Sequence, residues 1–318
     1  MSPIKLCFLG TPEFAAIHLR SLLNNSDYKI VGVVTQPDRP AGRKLQLVPS
    51  AVKELALKNG LPVLTPENLK KSAEDFEKIK SWQADVAVVV AFGQILSQEF
   101  LDSFKFGAVN VHGSVLPKWR GAAPIQRSIE AGEAETGVTL QKMVKKLDAG
   151  PVIGKRIIKL NDEVTAADLY ETLSVLGCKL LEHDLLKYIK GEIKAEEQDE
   201  SKVSFAKKIE KEESLLSWNL PAEKIHNRVR AFNMGPGTYV MFQGKRLKIH
   251  KTKVLDKVSK GIIGALVSVN DSALHVQTLS GTLALLEVQP ESKSKISISD
   301  YLKSSMLAVK LKKGDLFV

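Results

Sequence analysis

Apolar residues are arranged in two different ways along this chain. Over the first half they come in short, nearly continuous runs, Ile4–Leu9, Ile30–Val34, Leu61–Leu64, Asp85–Phe92 and Ala108–Val111, whose charged or amide members are Lys5, Asp85 and Asn110. Runs of this length predict parallel strands covered on both faces. Helical spacing lies between them, as at apolar positions 14, 15, 19, 22 and 23, where Pro12 suits the first turn of a helix. Ser50–Leu57 and a charged stretch at 66–81 predict two more helices. Residues 137–143 and 151–160 read as further strands, and 168–189 as a long amphipathic helix. The expected fold is a Rossmann-like parallel sheet with helices on both faces.

The pattern changes near residue 190. Lys190–Lys211 is dense in charge and poor in large apolar residues, as an inter-domain connection should be. After a short helix at 220–230 come short strands at 238–242, 244–250, 251–255, 264–269, 273–278 and 282–288. Their Gly, Asn and Asp turns predict a small OB-like β-barrel. Expected boundaries are therefore 1–190 for the α/β domain, 191–211 for a linker and 212–318 for the barrel. A length of 318 residues agrees with two cores.

Charge separates the two parts further. Residues 207–318 hold 19 Lys and Arg against 10 Asp and Glu, while 1–206 hold 27 against 26. Nearly all of the net +10 thus sits in the last third, which points to a polyanionic partner such as nucleic acid. Lys245, Arg246, Lys248 and Lys251 share one predicted strand stretch, and Lys207 and Lys208 precede the barrel. A second basic segment is the loop 35–49, with Arg39, Arg43 and Lys44; loops this long inside a compact unit are usually functional or disordered. The N-terminus lacks a basic stretch followed by an apolar one, and the longest apolar run, 86–92, is too short to span a membrane. The two cysteines, Cys7 and Cys178, offer no disulfide framework. A cytoplasmic protein without a membrane partner is expected.

The candidate chemistry lies in Gly107–Pro124. Asn110 and His112 are two apart on a predicted strand, so their side chains face the same way where the strand breaks at Gly113 and Pro117. Asp148, in Leu147-Asp-Ala-Gly150, sits in another turn-rich break. The other histidines, at 18, 183, 226, 250 and 275, are scattered, so no metal is expected. There is no Gly-x-Ser-x-Gly elbow, which leaves direct transfer between two bound substrates. The first turn has one glycine, Gly10, rather than a dinucleotide fingerprint, which counts against a nicotinamide oxidoreductase. Phe92, Gly93, Ile95 and Leu96, at the end of a central strand, are candidate walls for a flat apolar ligand.

The run Asn110-Val-His-Gly-Ser-Val-Leu-Pro117, followed by Trp119–Gln126, Thr136–Thr139 and Leu147–Gly150, resembles the signature of folate-dependent formyltransferases. Phe8–Phe14, Gln36–Arg43 and Ala206–Glu213 extend the likeness to members acting on methionyl-tRNA. The resemblance implies transfer of the formyl group of 10-formyltetrahydrofolate to the α-amino group of methionine on initiator tRNA. It places catalysis on Asn110, His112 and Asp148, and folate contacts on Ser114, Val115, Leu116 and Pro117. Val115 stands where the family usually has Leu, and Arg43-Lys-Leu-Gln-Leu47 where it often has Arg-Gly-Lys-Lys-Leu. An amide and an imidazole suit the oxyanion of such a reaction, with the carboxylate steadying the imidazolium. Formylation of an amino-sugar nucleotide or of glycinamide ribonucleotide stays open, as does an RNA-binding module with an inactive α/β half. A monomer is expected.

Overall fold

The computed structural model describes residues 2–41, 46–258, 261–304 and 313–317. In chain order the first elements are β1 (Ile4–Gly10), α1 (Glu13–Leu23), β2 (Tyr28–Val34), β3 (Arg39–Ala41), β4 (Gln46–Val48), α2 (Ala51–Lys58), β5 (Val63–Leu64), α3 (Ala73–Ser81), β6 (Val86–Val90), α4 (Gln98–Asp102), β7 (Ala108–His112) and β8 (Arg120–Gly121). Then follow α5 (Pro124–Ala131), β9 (Glu135–Lys142), β10 (Val152–Lys159), α6 (Ala166–Lys179), a π-helical stretch Leu180–Leu185, α7 (Leu186–Ile189) and β11 (Phe205–Ala206). The last part holds α8 (Ala222–Ala231), β12 (Thr238–Phe242), β13 (Lys245–Asp256), β14 (Leu266–Asn270), β15 (Ala273–Gln277), β16 (Thr282–Pro290), β17 (Ile296–Ser297) and α9 (Ile298–Lys303).

The chain divides into two units. The first comprises Met1–Pro124, Glu135–Lys159 and Tyr170–Ala206. Its sheet runs β10-β9-β7-β6-β1-β2-β5. β1, β2, β5, β6 and β7 are parallel, and β1 from Leu6 and β6 throughout are buried, which is why Leu6–Leu9 and Val86–Val90 are unbroken apolar runs. From β1 the chain goes to β2 and β5 on one side and then to β6 and β7 on the other. The switch in order therefore falls between β1 and β6, where open α/β sheets bind ligands. β9 and β10, expected only as further strands, extend this parallel sheet in the opposite sense: β9 is antiparallel to β7, and β10 to β9. The connection 143–151 is too short for the crossover of a dozen or more residues that a parallel neighbour needs.

Two helical expectations shift in detail. The stretch 66–81 begins as a 3-10 turn at Leu69–Lys71, and α3 starts only after Ser72, whose hydroxyl accepts from Asp75 N at 3.3 Å. The helix expected at 168–189 is continuous from Ala166 to Ile189 but passes through the π-helical stretch. Residues 191–211, read as a linker, are also more ordered than their composition suggests. Val152 and Glu196 exchange backbone hydrogen bonds, and β11 pairs with β8 in parallel.

The second unit comprises Ile125–Ala134, Leu160–Leu169 and Lys207–Val318. Its strands are antiparallel in the order β12-β13-β16-β15-β14, with β17 beside β16. The core gathers Ile225 and Val229 from α8 with Val240, Leu247, Ile249, Leu274, Leu283 and Leu285 from the strands. Phe317 stacks on Phe242 at 4.5 Å between ring centroids and meets Trp218 edge-on. The two strands expected at 244–250 and 251–255 are one, β13, interrupted by register shifts around Lys251.

Candidate functional site

β7 carries the site. Val109 and Val111 face one side, where Val111 packs under Gly177 of α6. Asn110 and His112 face the other, as period-two geometry requires. Asn110 is half-buried, and its side-chain amide makes no hydrogen bond to the described residues. His112 Nε2 lies 2.9 Å from the carbonyl oxygen of Trp119. A carbonyl only accepts, so Nε2 carries the hydrogen and Nδ1 is the nitrogen left for chemistry. Nδ1 faces Asp148 Oδ2 at 3.7 Å, with 6% and 13% of the two side chains exposed. At that separation the two groups form an ion pair when the ring is charged, without a direct hydrogen bond. The structure thus brings Asp148 to His112, and Asn110 lies two residues back on the same face.

Asp148 is held from several directions. The N–H of Gly121 donates to its Oδ2 at 2.8 Å and Gln141 Nε2 to its Oδ1 at 3.1 Å. Gln141 is the register partner of Asn110, so both side chains leave the same face of adjacent strands. Two glycines make this approach feasible. Gly121 has φ +126°, and a Cβ there would lie 2.6 Å from the carbonyl oxygen of Ala206. A Cβ on Gly150 would lie 1.7 Å from that of Lys142. Trp119 and Asp148 themselves have φ +63° and +47°, conformations that cost about 1–3 kcal/mol each and cluster at functional sites.

The remaining candidates fall differently. Ser114 is fully buried, its hydroxyl donating to the Lys118 carbonyl at 2.6 Å, and Leu116 is buried too. Val115 and Pro117 are half-buried. Phe92 and Leu96 belong to a hydrophobic core cluster, whereas Gly93 and Ile95 are exposed, Ile95 to 81%. The Phe92 carbonyl accepts from Thr11 Oγ1 and Gln36 Nε2, tying together the loops after β1, β2 and β6. Sequence reading missed Gln141 and Gln198, and it gave Trp119 and Gly121 no role although both lie in the motif Trp119–Gln126. Among the described residues no group of three or more His, Cys, Asp or Glu is placed to hold a metal ion, and no helix is long and apolar enough to cross a membrane.

Of the basic candidates, Arg39 is exposed and pairs with Glu67 at 3.0 Å, while Arg43 and Lys44 lie outside the described residues. In the second unit Lys245, Arg246, Lys248 and Lys251 are all exposed, and Arg246 lies over the Tyr239 ring at 4.2 Å. Strict alternation from Arg246 and Lys248 would turn Lys251 inward. The register shifts between Ile249 and Thr252 turn it outward again and bury Thr252 instead. Lys207 and Lys208 are exposed, and their carbonyls accept from Arg127 Nε and Nη2 at 3.1 and 3.0 Å. Arg127 is itself gripped by both oxygens of Glu213 and by Glu130, which also accepts from Arg228.

Both units match known families. Residues 4–184 match the profile described as formyl transferase, and 208–306 that of the formyl transferase C-terminal domain. The chain is 54% identical over 312 residues to a curated methionyl-tRNA formyltransferase of Bdellovibrio bacteriovorus, covering 97% of this chain and 98% of that one. It is 42% identical over 301 residues to one of Coxiella burnetii, covering 95% of each. It also resembles the structure of WlaRD, a sugar 3N-formyl transferase solved in the presence of dTDP and 5-N-formyl-THF, with a TM-score of 0.64 at 20% identity, over 92% of this chain and 99% of that one. That likeness speaks for the fold.

Glu213 makes the lysine segment sensitive to acid. The Arg127 hydrogen bonds hold its carboxyl down from 4.5 to about 2, against the opposing effect of burial. A carboxyl lowered on folding contributes stability that is present above its unfolded value and lost as pH falls. The melting temperature of the wild type is therefore expected to fall between pH 4.5 and 2 more steeply than that of Glu213→Gln. Parallel melting profiles over that range would remove Glu213 from the acid response.

Proposed function

The chain belongs to the formyl transferase family, and from that premise we propose that it transfers the formyl group of 10-formyltetrahydrofolate to the α-amino group of methionyl-initiator tRNA, giving N-formylmethionyl-tRNA for translation initiation. The observation that carries the chemistry is the arrangement of His112, with Nε2 spent on Trp119 and Nδ1 turned to Asp148, beside an Asn110 amide that has no hydrogen-bond partner among the described residues. The acceptor is supported by two relatives of that name, each matched along nearly its full length.

The donor supplies an electrophilic formyl carbon. The neutral amine attacks it, forming the new C–N bond and pushing the carbonyl electrons onto oxygen. Asn110 donates a hydrogen bond to that oxygen, and the imidazolium of His112 offsets its charge. Asp148 steadies the charged ring and takes a proton from the attacking nitrogen, directly or through water. Breaking the bond to N10 of the folate returns a proton to that nitrogen and frees the formylated product.

The folate is proposed to lie against the exposed Gly93 and Ile95, above Phe92 and Leu96, and along the turn Ser114–Pro117. With Ser114 and Leu116 buried, the turn offers its backbone together with Val115 and Pro117. Arg39, Arg43, Lys44, Lys207, Lys208, Lys245, Arg246, Lys248 and Lys251 are proposed to meet tRNA phosphates. An amino-sugar or ribonucleotide acceptor would give no role to the excess positive charge of residues 207–318. The proposed setting is the cytoplasm, with the chain acting as a monomer and no membrane involved.

Incubation with 10-formyltetrahydrofolate is expected to formylate charged initiator tRNA, and neither charged elongator tRNA nor amino-sugar nucleotides. Formylated amino sugar and unmodified tRNA would overturn the reading. The apparent affinity for tRNA should fall steeply with salt while that for folate does not, because only the first releases counterions. Asp148→Asn is expected to lose about 10²–10⁴-fold in kcat and still bind folate. Wild-type turnover in that variant would remove Asp148 from the mechanism.

A further inference from the structure

A chain of hydrogen bonds in the first unit ends on Asp148, and its direction is dictated from both ends. It begins at Arg120, whose side chain is fully buried. A guanidinium can only donate. Its Nε and Nη2 reach Gln198 Oε1 at 3.1 and 2.8 Å, so that oxygen must face the arginine. Gln198 Nε2 then points the other way, and donates to the carbonyls of Asp148 and Gly150 at 2.8 and 2.7 Å. It also approaches Gln141 Oε1 at 3.4 Å. With its oxygen turned to Gln198, Gln141 presents Nε2 to Asp148 Oδ1. The ionised carboxylate at the far end only accepts, which demands the same polarity.

Arg120 has a second anchor in Glu200, at 2.8 Å, and Glu200 also pairs with Lys146 at 2.7 Å, two residues before Asp148. The segment bearing Gln198 is tied down beside it: Arg120 N donates to the Ser204 carbonyl and Ala122 N to that of Ala206. So residues read as a linker brace the loop that carries the carboxylate.

We propose that Gln141 and Gln198 are positioning residues for Asp148. Arg120 sets the orientation of both amides; Gln198 holds the backbone at Asp148 and Gly150, and Gln141 holds Oδ1. Oδ2, fixed by the Gly121 N–H, is thereby kept facing His112 Nδ1. The inference rests on the formyl-transfer reading, in which Asp148 acts on His112 and the amine. A purely structural role fits the same residues poorly. Buried polar chains cost desolvation, and apolar side chains of similar volume commonly serve stability as well or better.

The test uses the full chain, after wild-type protein has been seen to formylate charged initiator tRNA; failure there would count against the reading of function and not against the relay. Gln141→Met is expected to melt close to wild type, to keep KM for both substrates within about twofold, and to lose about 10- to 100-fold in kcat, the scale of a displaced catalytic group. Gln198→Glu keeps an acceptor for Arg120 but sets a carboxylate oxygen, which cannot donate, against the carbonyls of Asp148 and Gly150; a similar kcat loss is expected. In the double variant the losses should not multiply, because both act through one carboxylate. Wild-type kcat in either single variant, or a double variant whose loss is the product of the two, would overturn the proposal.

Discussion

The carbonyl oxygen of Trp119 can only accept, so its 2.9 Å contact with His112 Nε2 decides where the ring keeps its fixed proton. Every other feature of the site answers to that constraint. Nδ1 becomes the one nitrogen able to gain or lose a proton. A carboxylate is useful only on that side, and Asp148 is there. To offer its carbonyl, the chain turns through a positive φ at Trp119, a conformation disfavoured for a bulky residue. The segment that follows is then secured by pairing β8 with β11, and the cost is spread over a small ladder of backbone hydrogen bonds.

The same logic explains why so many buried polar groups surround one carboxylate. Gly121, Gln141 and Gln198 supply donors, and Arg120 orients two of them. A half-satisfied network of this kind would be worse than an apolar core. Here the links from guanidinium to carboxylate are all made, even though Arg120 Nη1 and Trp119 Nε1 find no partner among the described residues. The two exceptions sit beside the site, in the stretch where the backbone is already displaced from ordinary geometry.

How much of this was legible follows from the range over which each signal acts. The sides taken by Asn110 and His112 follow from local period-two geometry on a strand that its apolar flanks announce, and they were readable. The parallel core of the sheet was readable from its near-continuous apolar runs, the mark of strands covered on both faces. Gln141 was not, because its role depends on β9 running antiparallel beside β7, and an eight-residue strand carries no mark of its partner's direction. Gln198 lies in a charged, apolar-poor segment whose composition resembles that of a linker. Its order comes from tertiary hydrogen bonds, which composition does not record. Ser114 had the right chemistry for a ligand contact, yet its hydroxyl is occupied within its own turn.

Lys251 illustrates the limit of pattern reading in the opposite direction. Alternation along Lys245–Asp256 sets Leu247 and Ile249 inward and then demands that Lys251 follow them. An inward lysine without a partner would have to leave its charge in an apolar core, a penalty far larger than that of disturbing a ladder. The strand instead shifts register against β16 on both sides of Lys251, and Thr252 takes the inward place, where His226 Nδ1 lies 2.9 Å from its hydroxyl. The bulge thus replaces a buried charge with a satisfied hydroxyl. It also leaves Arg246, Lys248, Lys251 and Lys253 exposed along one strand. Avoiding the desolvation of a single side chain in this way leaves these cations together on the exposed side of the strand.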